Sequence, residues 1–360
     1  MLNKEFIENN FSSKKVLITG HTGFKGSWLS LWLSSRGAIV TGVSHQIPSN
    51  LSSFNAYDLK QVIDHRIGDL TNLEFTKSII NEIKPDFIFH LAAQALVGVS
   101  YKEPHETISN NVLTTLNILE SCREMDFETI LVLITSDKVY RNKEWSWGYR
   151  ENDELGGRDP YSASKGMCEL VIDSYSKSFL LEESKIKFAV ARAGNVIGGG
   201  DWSEGRIVPD IIKSWSQKEN LYIRSPNSTR PWQHVLEPLG GYILLAILLQ
   251  DKDEINGEAF NFGPDNSMNK TVLELSKEFS KFIDNLEINF GTDINIHEAG
   301  LLRLSCDKSI SMLNWHPRLN FEETVAYTAE WYQSQIKFSN ESELMRDFAL
   351  QQISLYEAVN

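Results

Sequence analysis

The segment that decides the fold is Lys15-Val16-Leu17-Ile18-Thr19-Gly20-His21-Thr22-Gly23-Phe24-Lys25-Gly26. Its first six residues form an apolar run that ends in glycine, which is typical of a buried parallel strand. Its last seven residues have the spacing GxxGxxG and lead into a helical pattern over Phe24–Arg36. A strand, a glycine-rich turn and a helix in this order favour a dinucleotide-binding unit, in which a phosphate meets the helix N-terminus.

Each glycine of this turn has an expected role. Gly20 allows the tight turn, Gly23 allows the close approach of a pyrophosphate, and Gly26 allows the helix to pack closely on the strand. The acid that commonly meets the adenosine ribose is missing, because the second predicted strand ends in Val43-Ser44-His45. Ser44 can still donate to the ribose, but this position does not distinguish NAD from NADP.

Strand and helix patterns alternate along the first half of the chain. Strands are predicted at 15–20, 38–43, 86–91, 130–135 and 187–193, and helices at 24–36, 73–84, 105–125 and from Pro160 onward. The alternation predicts an α/β fold with a doubly wound, Rossmann-type parallel sheet, formed mainly by residues 1–194. After Gly194 the helical patterns, at 207–216, 236–250 and 273–285, are less regular. We therefore expect a smaller α/β C-terminal lobe for the substrate, mainly residues 195–360, from which some segments return to the first domain.

Composition limits the possible partners and compartment. The net charge of −13 argues against a nucleic-acid partner. Cys122, Cys168 and Cys306 are too widely spaced for a disulfide framework or a metal site, so no metal is expected. The N-terminal residues lack a signal-peptide core, and the longest apolar run, Tyr242–Leu249, is too short to cross a bilayer. We expect a cytoplasmic protein without membrane contact.

Two polar segments carry candidate chemistry. Ser136-Asp137-Lys138 follows an apolar run and places a hydroxyl, a carboxylate and an amine at a strand end. Tyr161-Ser162-Ala163-Ser164-Lys165 is a YxxxK pattern, which puts Tyr161 and Lys165 on one helix face. An ammonium beside a phenol favours the phenolate, so Tyr161 is a candidate base near neutral pH. Together the segments suggest an enzyme that oxidises an alcohol and then does acid–base chemistry on the product.

The combination of GxxGxxG, His90-Leu91-Ala92-Ala93, the acidic triplet and YxxxK resembles the extended short-chain dehydrogenase/reductase family over about Lys15–Tyr332. Within it the sugar-nucleotide 4,6-dehydratases are the most similar, because the triplet has a carboxylate at its centre. More specific similarities at Arg192–Asn195, Gly199–Trp202 and Arg230–Val235 favour the branch that acts on CDP-glucose and feeds 3,6-dideoxyhexose synthesis.

The resemblance implies a bound NAD that is used and regenerated. Tyr161, beside Lys165, would take the proton of the sugar C4 hydroxyl while hydride leaves C4, and Ser136 would hydrogen-bond the same oxygen. Asp137 would protonate the departing C6 hydroxyl, and hydride would return to C6 to give a 4-keto-6-deoxy sugar. The better-known dTDP-glucose enzymes carry glutamate where this chain has Lys138. We favour Lys138 as the base at C5, with a charge that stabilises the C4 enolate as the alternative.

The resemblance and the positions of the motifs also indicate the binding residues. The expected cofactor contacts are Gly20, Thr22, Gly23, Phe24, Lys25, Gly26, Ser44, Asp69, Leu70, Leu91, Ala92, Ala93, Asn111, Tyr161 and Lys165. The expected substrate contacts are Gln94, Ser136, Asn195, Arg206, Arg230 and Arg303, among which the guanidinium groups suit phosphate oxygens. Members of this family commonly pair through helices on the sheet faces, so we expect a homodimer or homotetramer.

Two other functions stay open at this point. One is an epimerase, or a dehydratase acting on a dTDP-, GDP- or UDP-linked hexose, using the same Tyr161. The other is a non-catalytic dinucleotide-binding regulator, against which the intact Ser136, Tyr161 and Lys165 weigh. Asp137 separates dehydration from epimerisation, because an epimerase needs no acid at C6.

Overall fold

The computed structural model describes residues 2–181, 185–265, 269–284, 286–290, 301–338 and 341–359. Its strands are β1 (Lys15–Thr19), β2 (Ile39–Ser44), β3 (Asp64–Ile67), β4 (Phe87–His90), β5 (Thr129–Ile134), β6 (Ile186–Ala193), β7 (Val196–Ile197), β8 (Leu221–Ile223), β9 (Thr229–Pro231), β10 (Gln233–His234), β11 (Ala259–Phe262), β12 (Asn269–Thr271) and β13 (Ile288–Phe290). Its helices are α1 (Lys4–Phe11), α2 (Phe24–Ser35), α3 (Ser53–Ala56), α4 (Leu73–Ile83), α5 (Val97–Lys102), α6 (Pro104–Arg123), α7 (Pro160–Tyr175), α8 (Ile207–Gln217), α9 (Leu236–Leu248), α10 (Val272–Phe279), α11 (Asp307–Leu313), α12 (Phe321–Phe338) and α13 (Ser342–Ala358).

One parallel sheet forms the centre of the molecule, with the strand order β11-β6-β5-β4-β1-β2-β3. Every pairing in it is parallel. The order is that of a doubly wound dinucleotide-binding sheet with one further strand, β11, from the second half of the chain. The predicted α/β fold class is confirmed.

Alternate residues of the central strands are buried on opposite faces of the sheet. Val16 and Ile18 of β1 belong to the larger core, which includes Trp28 of α2 and Leu245 of α9. Leu17 belongs to a second core beneath α4, α6 and α7. Burial on both faces explains the continuous apolar run of this strand. Because helices cover both faces, the carboxyl ends of the strands are where side chains can meet a ligand.

The sequence patterns missed several elements that complete the fold. β3 is a half-exposed edge strand with the sequence Asp-His-Arg-Ile, so it has no apolar run to reveal it. β11, α1, α12 and α13 were also not predicted. The helix predicted at 273–285 ends at Phe279, and Asn285 lies outside the described residues.

The second half of the chain is divided between the main sheet and small paired strands. β7 pairs with β10, β8 with β13 and β9 with β12. α13 packs back on α2, where the buried ion pair of Arg36 and Glu357 joins their ends at 2.7 Å. None of the described helices is long and apolar enough to cross a membrane.

Candidate active site

Residues that follow β1, β2, β4, β5 and β6 line one large cleft of about 2630 Å³. A single small ligand occupies roughly 300–1,000 Å³, so the cleft has room for a dinucleotide and a second nucleotide side by side. Of the candidate catalytic, cofactor-binding and substrate-binding residues named from the sequence, all but Asn111 and Arg303 line this cleft. Within the described part of the chain, no three His, Cys, Asp or Glu side chains are grouped as metal ligands.

The end of β5 delivers the candidate catalytic triplet. Ser136 Oγ accepts a hydrogen bond from the Lys138 backbone N–H at 3.2 Å and donates to Asp137 Oδ1 at 3.0 Å. The other carboxylate oxygen, Asp137 Oδ2, accepts from Lys138 Nζ at 2.9 Å. The three predicted side chains therefore form one hydrogen-bonded group at the strand end.

The Asp137 carboxylate is buried against a glycine. Its side chain is 4% exposed, whereas that of Lys138 is 28% exposed and reaches solvent. A Cβ atom at Gly194 would lie 2.1 Å from Asp137 Cγ and 2.2 Å from Oδ2. Only glycine at position 194 leaves room for this carboxylate.

The first turn of α7 holds Tyr161. Asp159 caps the helix, since its Oδ1 accepts from the Ser162 backbone N–H at 2.9 Å. Pro160 occupies the first helical turn, where its fixed φ is favourable. Tyr161 is consequently held with 7% of its surface exposed, beside the strand-end triplet.

The electrostatics of Tyr161 differ from the sequence expectation. Burial raises the pKa of Tyr161 to about 12, although its hydrogen bond with Ser136 acts in the opposite direction. The Asp137 charge raises this pKa further, and the Arg206 charge lowers it. Burial therefore opposes the phenolate that the YxxxK spacing is expected to favour, because desolvation disfavours the charged form.

Lys165 lies one helical turn after Tyr161 and lines the same cleft. It is buried, and burial lowers the pKa of its ammonium, while the charges of Cys168 and Glu169 act in the opposite direction. Its position in the cleft suits the predicted cofactor contact.

Beneath the site lies a buried polar network that sequence reasoning missed. Arg192 of β6 donates to both oxygens of Glu169 on α7, each at 2.8 Å. Thr135, next to Ser136, donates to the same carboxylate at 2.6 Å. Burial opposes the charge of Arg192, but the Glu169 carboxylate outweighs it and raises the pKa of Arg192. The network joins the end of β5 to β6 and α7, next to the candidate catalytic groups.

One signal in the sequence pointed to this network. Glu169 lies four residues after Lys165 and eight after Tyr161, so the three side chains share one face of α7. A carboxylate on the buried side of a helix needs a partner, and Arg192 in a buried strand is that partner.

The glycine-rich turn is shaped by close backbone contacts. Gly20 has a φ of +74°, and a Cβ atom there would lie 2.8 Å from the Ala92 backbone nitrogen. A Cβ atom at Gly26 would lie 2.2 Å from the Gly20 carbonyl oxygen. Thr19 Oγ1 accepts from the backbone N–H groups of Leu91 and Ala92 at 3.1 and 3.2 Å. These contacts leave the N-terminus of α2 open to the cleft for an anion.

At the end of β2, a serine and two histidines stand where an acid is common. Ser44 Oγ lies 2.9 Å from His21 Nδ1 and accepts from the Thr22 backbone N–H at 3.2 Å. His21 Nε2 lies 2.6 Å from His65 Nδ1. Burial and the neighbouring His65 lower the pKa of His21 to about 4, so the His21 side chain is neutral at pH 7.

Positive charge gathers on the floor of the cleft. Lys25 Nζ donates to the Tyr242 hydroxyl at 3.2 Å. Burial and then the Arg206 charge lower the pKa of Lys25 to about 7, while Asp137 acts in the opposite direction. Arg206 donates to the buried Asp201 at 2.6 Å. In a protein with a net charge of −13, this local group of cations suits phosphate oxygens.

Asn111 and Gln94 bind each other, and of the two only Gln94 lines the cleft. Asn111 Nδ2 donates to Ser164 Oγ at 2.8 Å, and its Oδ1 accepts from the Gln94 backbone N–H at 2.7 Å. Gln94 Nε2 donates to Thr107 Oγ1 at 2.8 Å. Asn111, expected to contact the cofactor, is 1% exposed and links the loop after β4 to α7.

The remaining substrate candidates fall into two groups. Asn195 and Arg230 line the cleft. Asn195 has a left-handed backbone with φ of 47°, and its buried Nδ2 has no partner within the described residues, which fits a ligand contact. Arg303 instead donates to the Ser146 carbonyl at 2.5 Å and borders a separate cavity of about 10 Å³ next to Asp137.

Comparison with known proteins agrees with this geometry. The family model for GDP-mannose 4,6 dehydratase matches residues 17–328. The chain is 44% identical to a CDP-glucose 4,6-dehydratase of Salmonella typhimurium, and the match covers 92% of this chain and 94% of that protein. 

Solved structures agree with the fold. An epimerase of Methanothermobacter thermautotrophicus, Mth375, superposes with a TM-score of 0.81 at 23% identity, covering 94% of this chain and 98% of its own. A dTDP-glucose 4,6-dehydratase of Bacillus anthracis, solved with NAD, superposes with a TM-score of 0.74 at 21% identity, covering 91% and 98%.

Proposed function

The chain belongs to the GDP-mannose 4,6 dehydratase family of short-chain dehydrogenase/reductase enzymes, and we propose that it converts CDP-glucose into CDP-4-keto-6-deoxyglucose with NAD. The observation that carries the proposal is the hydrogen-bonded group Ser136–Asp137–Lys138 beside Tyr161 in one cleft. It contains the base, the acid and the amine that oxidation followed by elimination requires. The relative of Salmonella typhimurium, similar over 92% of this chain, supports CDP-glucose as the substrate.

The residues of the cleft fit NAD. The turn at Gly20, Gly23 and Gly26 would hold the pyrophosphate at the N-terminus of α2, and Lys165 would contact the nicotinamide ribose. Asp69 lines the same cleft and would contact the adenosine. When bound, NAD accepts a hydride from C4 and returns it to C6.

Tyr161 and Ser136 act at the C4 hydroxyl. Tyr161 takes the C4 proton, while Ser136 holds the oxygen through a hydrogen bond. Because burial raises the pKa of Tyr161 to about 12, the phenolate needs cations around it, and Lys165 and Arg206 lie in the same cleft. The resulting ketone at C4 makes the hydrogen on C5 acidic.

Asp137 and Lys138 act on the adjacent carbons C5 and C6. Lys138 takes the proton from C5, and Asp137 gives a proton to the hydroxyl that leaves C6 as water. The two side chains lie 2.9 Å apart, which suits groups that must act on neighbouring atoms. The diphosphate of the substrate would meet Arg206 and Arg230, and Asn195 would donate to it.

The expected setting is a cytoplasmic homodimer or homotetramer. The cysteines of the chain are free, which suits a reducing compartment. α6 and α7 carry exposed apolar side chains, among them Leu113, Met167 and Leu170, of which the last is 61% exposed. Such a face supports pairing with a second copy.

The function is tested with purified protein, NAD and CDP-glucose, compared with dTDP-, GDP- and UDP-glucose. We expect CDP-glucose to lose the mass of one water and to give a product with alkaline ultraviolet absorbance. Recovery of a C4 epimer alone, or no turnover with CDP-glucose, would contradict the proposal. Preferred turnover of another nucleotide-linked glucose would support a 4,6-dehydratase but contradict CDP-glucose as its substrate.

A variant separates dehydration from epimerisation. Asp137→Asn removes the acid but keeps the size of the side chain, so elimination should slow by roughly 10²-fold while C4 oxidation continues. Reduced cofactor should then accumulate, measured by its absorbance after mixing. Asp173→Asn, on the exposed side of α7 with its ion pair to Lys177, is the control. An equal loss of both steps would show that Asp137 is not the acid at C6.

A further inference from the structure

The proposed reaction, on which this inference rests, leaves one proton out of place after each turnover. Tyr161 gains the proton of the C4 hydroxyl, and Asp137 loses one to the hydroxyl that departs as water. Lys138 takes the C5 proton and returns it to C5 when hydride reaches C6. The enzyme therefore ends with a neutral phenol and with an Asp137–Lys138 pair that lacks one proton. A proton must move between them before the next turnover.

A hydrogen-bonded chain joins these two places. The Ser136 hydroxyl forms a hydrogen bond with the phenol of Tyr161 and lies 3.0 Å from Asp137 Oδ1. Asp137 Oδ2 lies 2.9 Å from Lys138 Nζ. A serine hydroxyl can accept one proton while it donates its own. Each link of the chain thus has a donor and an acceptor.

Solvent has little access to most of these hydrogen-bonded groups. Tyr161, Ser136 and Asp137 are 7%, 6% and 3% exposed, respectively. Lys138 is the member that reaches solvent, with 28% of its side chain exposed. It can exchange protons with water, whereas Tyr161 lines the cleft that the bound cofactor and substrate would fill.

We propose that Ser136 relays the proton from Tyr161 to Asp137 and so resets the enzyme. The O–H bond of Tyr161 breaks as a new O–H bond forms at Ser136, and the original O–H bond of Ser136 breaks as the proton binds Asp137 Oδ1. Tyr161 becomes a phenolate, the Asp137–Lys138 pair regains its proton, and the total charge is unchanged. No electrons are exchanged with the cofactor.

The relay requires that either Asp137 or Lys138 can hold the proton that the pair shares. A carboxylic acid beside a neutral amine, and a carboxylate beside an ammonium, differ only in the position of one shared proton. The 2.9 Å contact is compatible with both forms. One proton delivered by Ser136 therefore restores the acid and the base together.

The test compares the first turnover with later ones. Enzyme loaded with NAD is mixed with excess CDP-glucose, and product per active site is counted by rapid quench for wild type, Ser136→Ala and Ser136→Thr. Ser136→Ala should release one equivalent in a burst and then turn over roughly tenfold more slowly than the burst. Imidazole at fixed pH should raise its later rate but not the burst. Ser136→Thr keeps the hydroxyl, so whatever the rate of its first turnover, its later turnovers should proceed at that same rate and should not respond to imidazole.

Other outcomes overturn the relay. If Ser136→Ala shows no burst and no response to imidazole, Ser136 acts only on the C4 oxygen. If its later turnovers keep the wild-type rate, the reset passes through solvent. Absence of dehydration by the wild type would instead overturn the proposed function, and the relay with it.

Discussion

The two sides of the cleft are built in different ways. On the catalytic side, Ser136–Lys138 follow a buried central strand and Tyr161 starts a long helix, and the Glu169–Arg192 ion pair holds the two elements together. On the substrate side, Arg230 lies in the three-residue strand β9. Reaction chemistry depends on atoms held within tenths of an ångström by deep packing, whereas short strands and loops tolerate changes in what is recognised.

We expect the largest loss of activity when Tyr161, the proposed base at C4, loses its hydroxyl. Tyr161→Phe keeps the ring and its packing but removes the hydroxyl, so we expect product formation to fall about 10³-fold. Binding of CDP-glucose, measured by calorimetry, should change little. Tyr175→Phe on the same helix, which loses only its bond to Glu120, is the control. A loss of less than tenfold would mean that another group removes the C4 proton.

The ion pair below the site should matter for stability as well as for geometry. Glu169→Gln leaves the guanidinium of Arg192 buried without its charged partner, which we expect to cost about 3 kcal/mol of the free energy of unfolding. Denaturant titration measures this. Glu154→Gln breaks the exposed pairs with Arg141 and Lys143 and should lower the free energy of unfolding much less. Equal losses in the two variants would show that the buried pair does not hold the elements together.

On the substrate side, the effect should be smaller and confined to binding. Arg230→Gln removes a cation that lines the cleft, so we expect the Kd for CDP-glucose to rise about tenfold with little change in kcat. Arg303→Gln is the matched comparison, because Arg303 borders the small cavity next to Asp137 and not the cleft. A larger effect of Arg303→Gln would place the diphosphate on the other side of Asp137.

The comparison also explains which elements the sequence could predict. β1, the glycine-rich turn, β5 and α7 were predicted to within a few residues, because apolar runs and caps are local signals. β3 and β11 were missed for a different reason. An edge strand with polar residues and a strand that joins the sheet from far along the chain depend on partners that no local pattern names.

The candidate site, like the fold, was predictable where the signal was local and not where it depended on distant partners. The residue types Ser136, Asp137, Lys138, Tyr161 and Lys165 and their spacing were enough to predict alcohol oxidation coupled to acid–base chemistry. The sequence also placed Asn111 and Arg303 among the ligand contacts, yet in the structure neither lines the cleft. Asn111 is hydrogen-bonded to Gln94 and Ser164, and Arg303 is hydrogen-bonded to Ser146.

The sequence by itself determined the fold class and supplied the candidate reactive groups, because both depend on residue type and short spacing. Only the tertiary structure decided how those groups interact. Burial, and not the nearby Lys165, dominates the pKa of Tyr161. Gly194 makes room for the Asp137 carboxylate. The hydroxyl of Ser136 joins Tyr161 to that carboxylate. Desolvation and contact between distant segments exist only once the chain is packed, so no local pattern can report them.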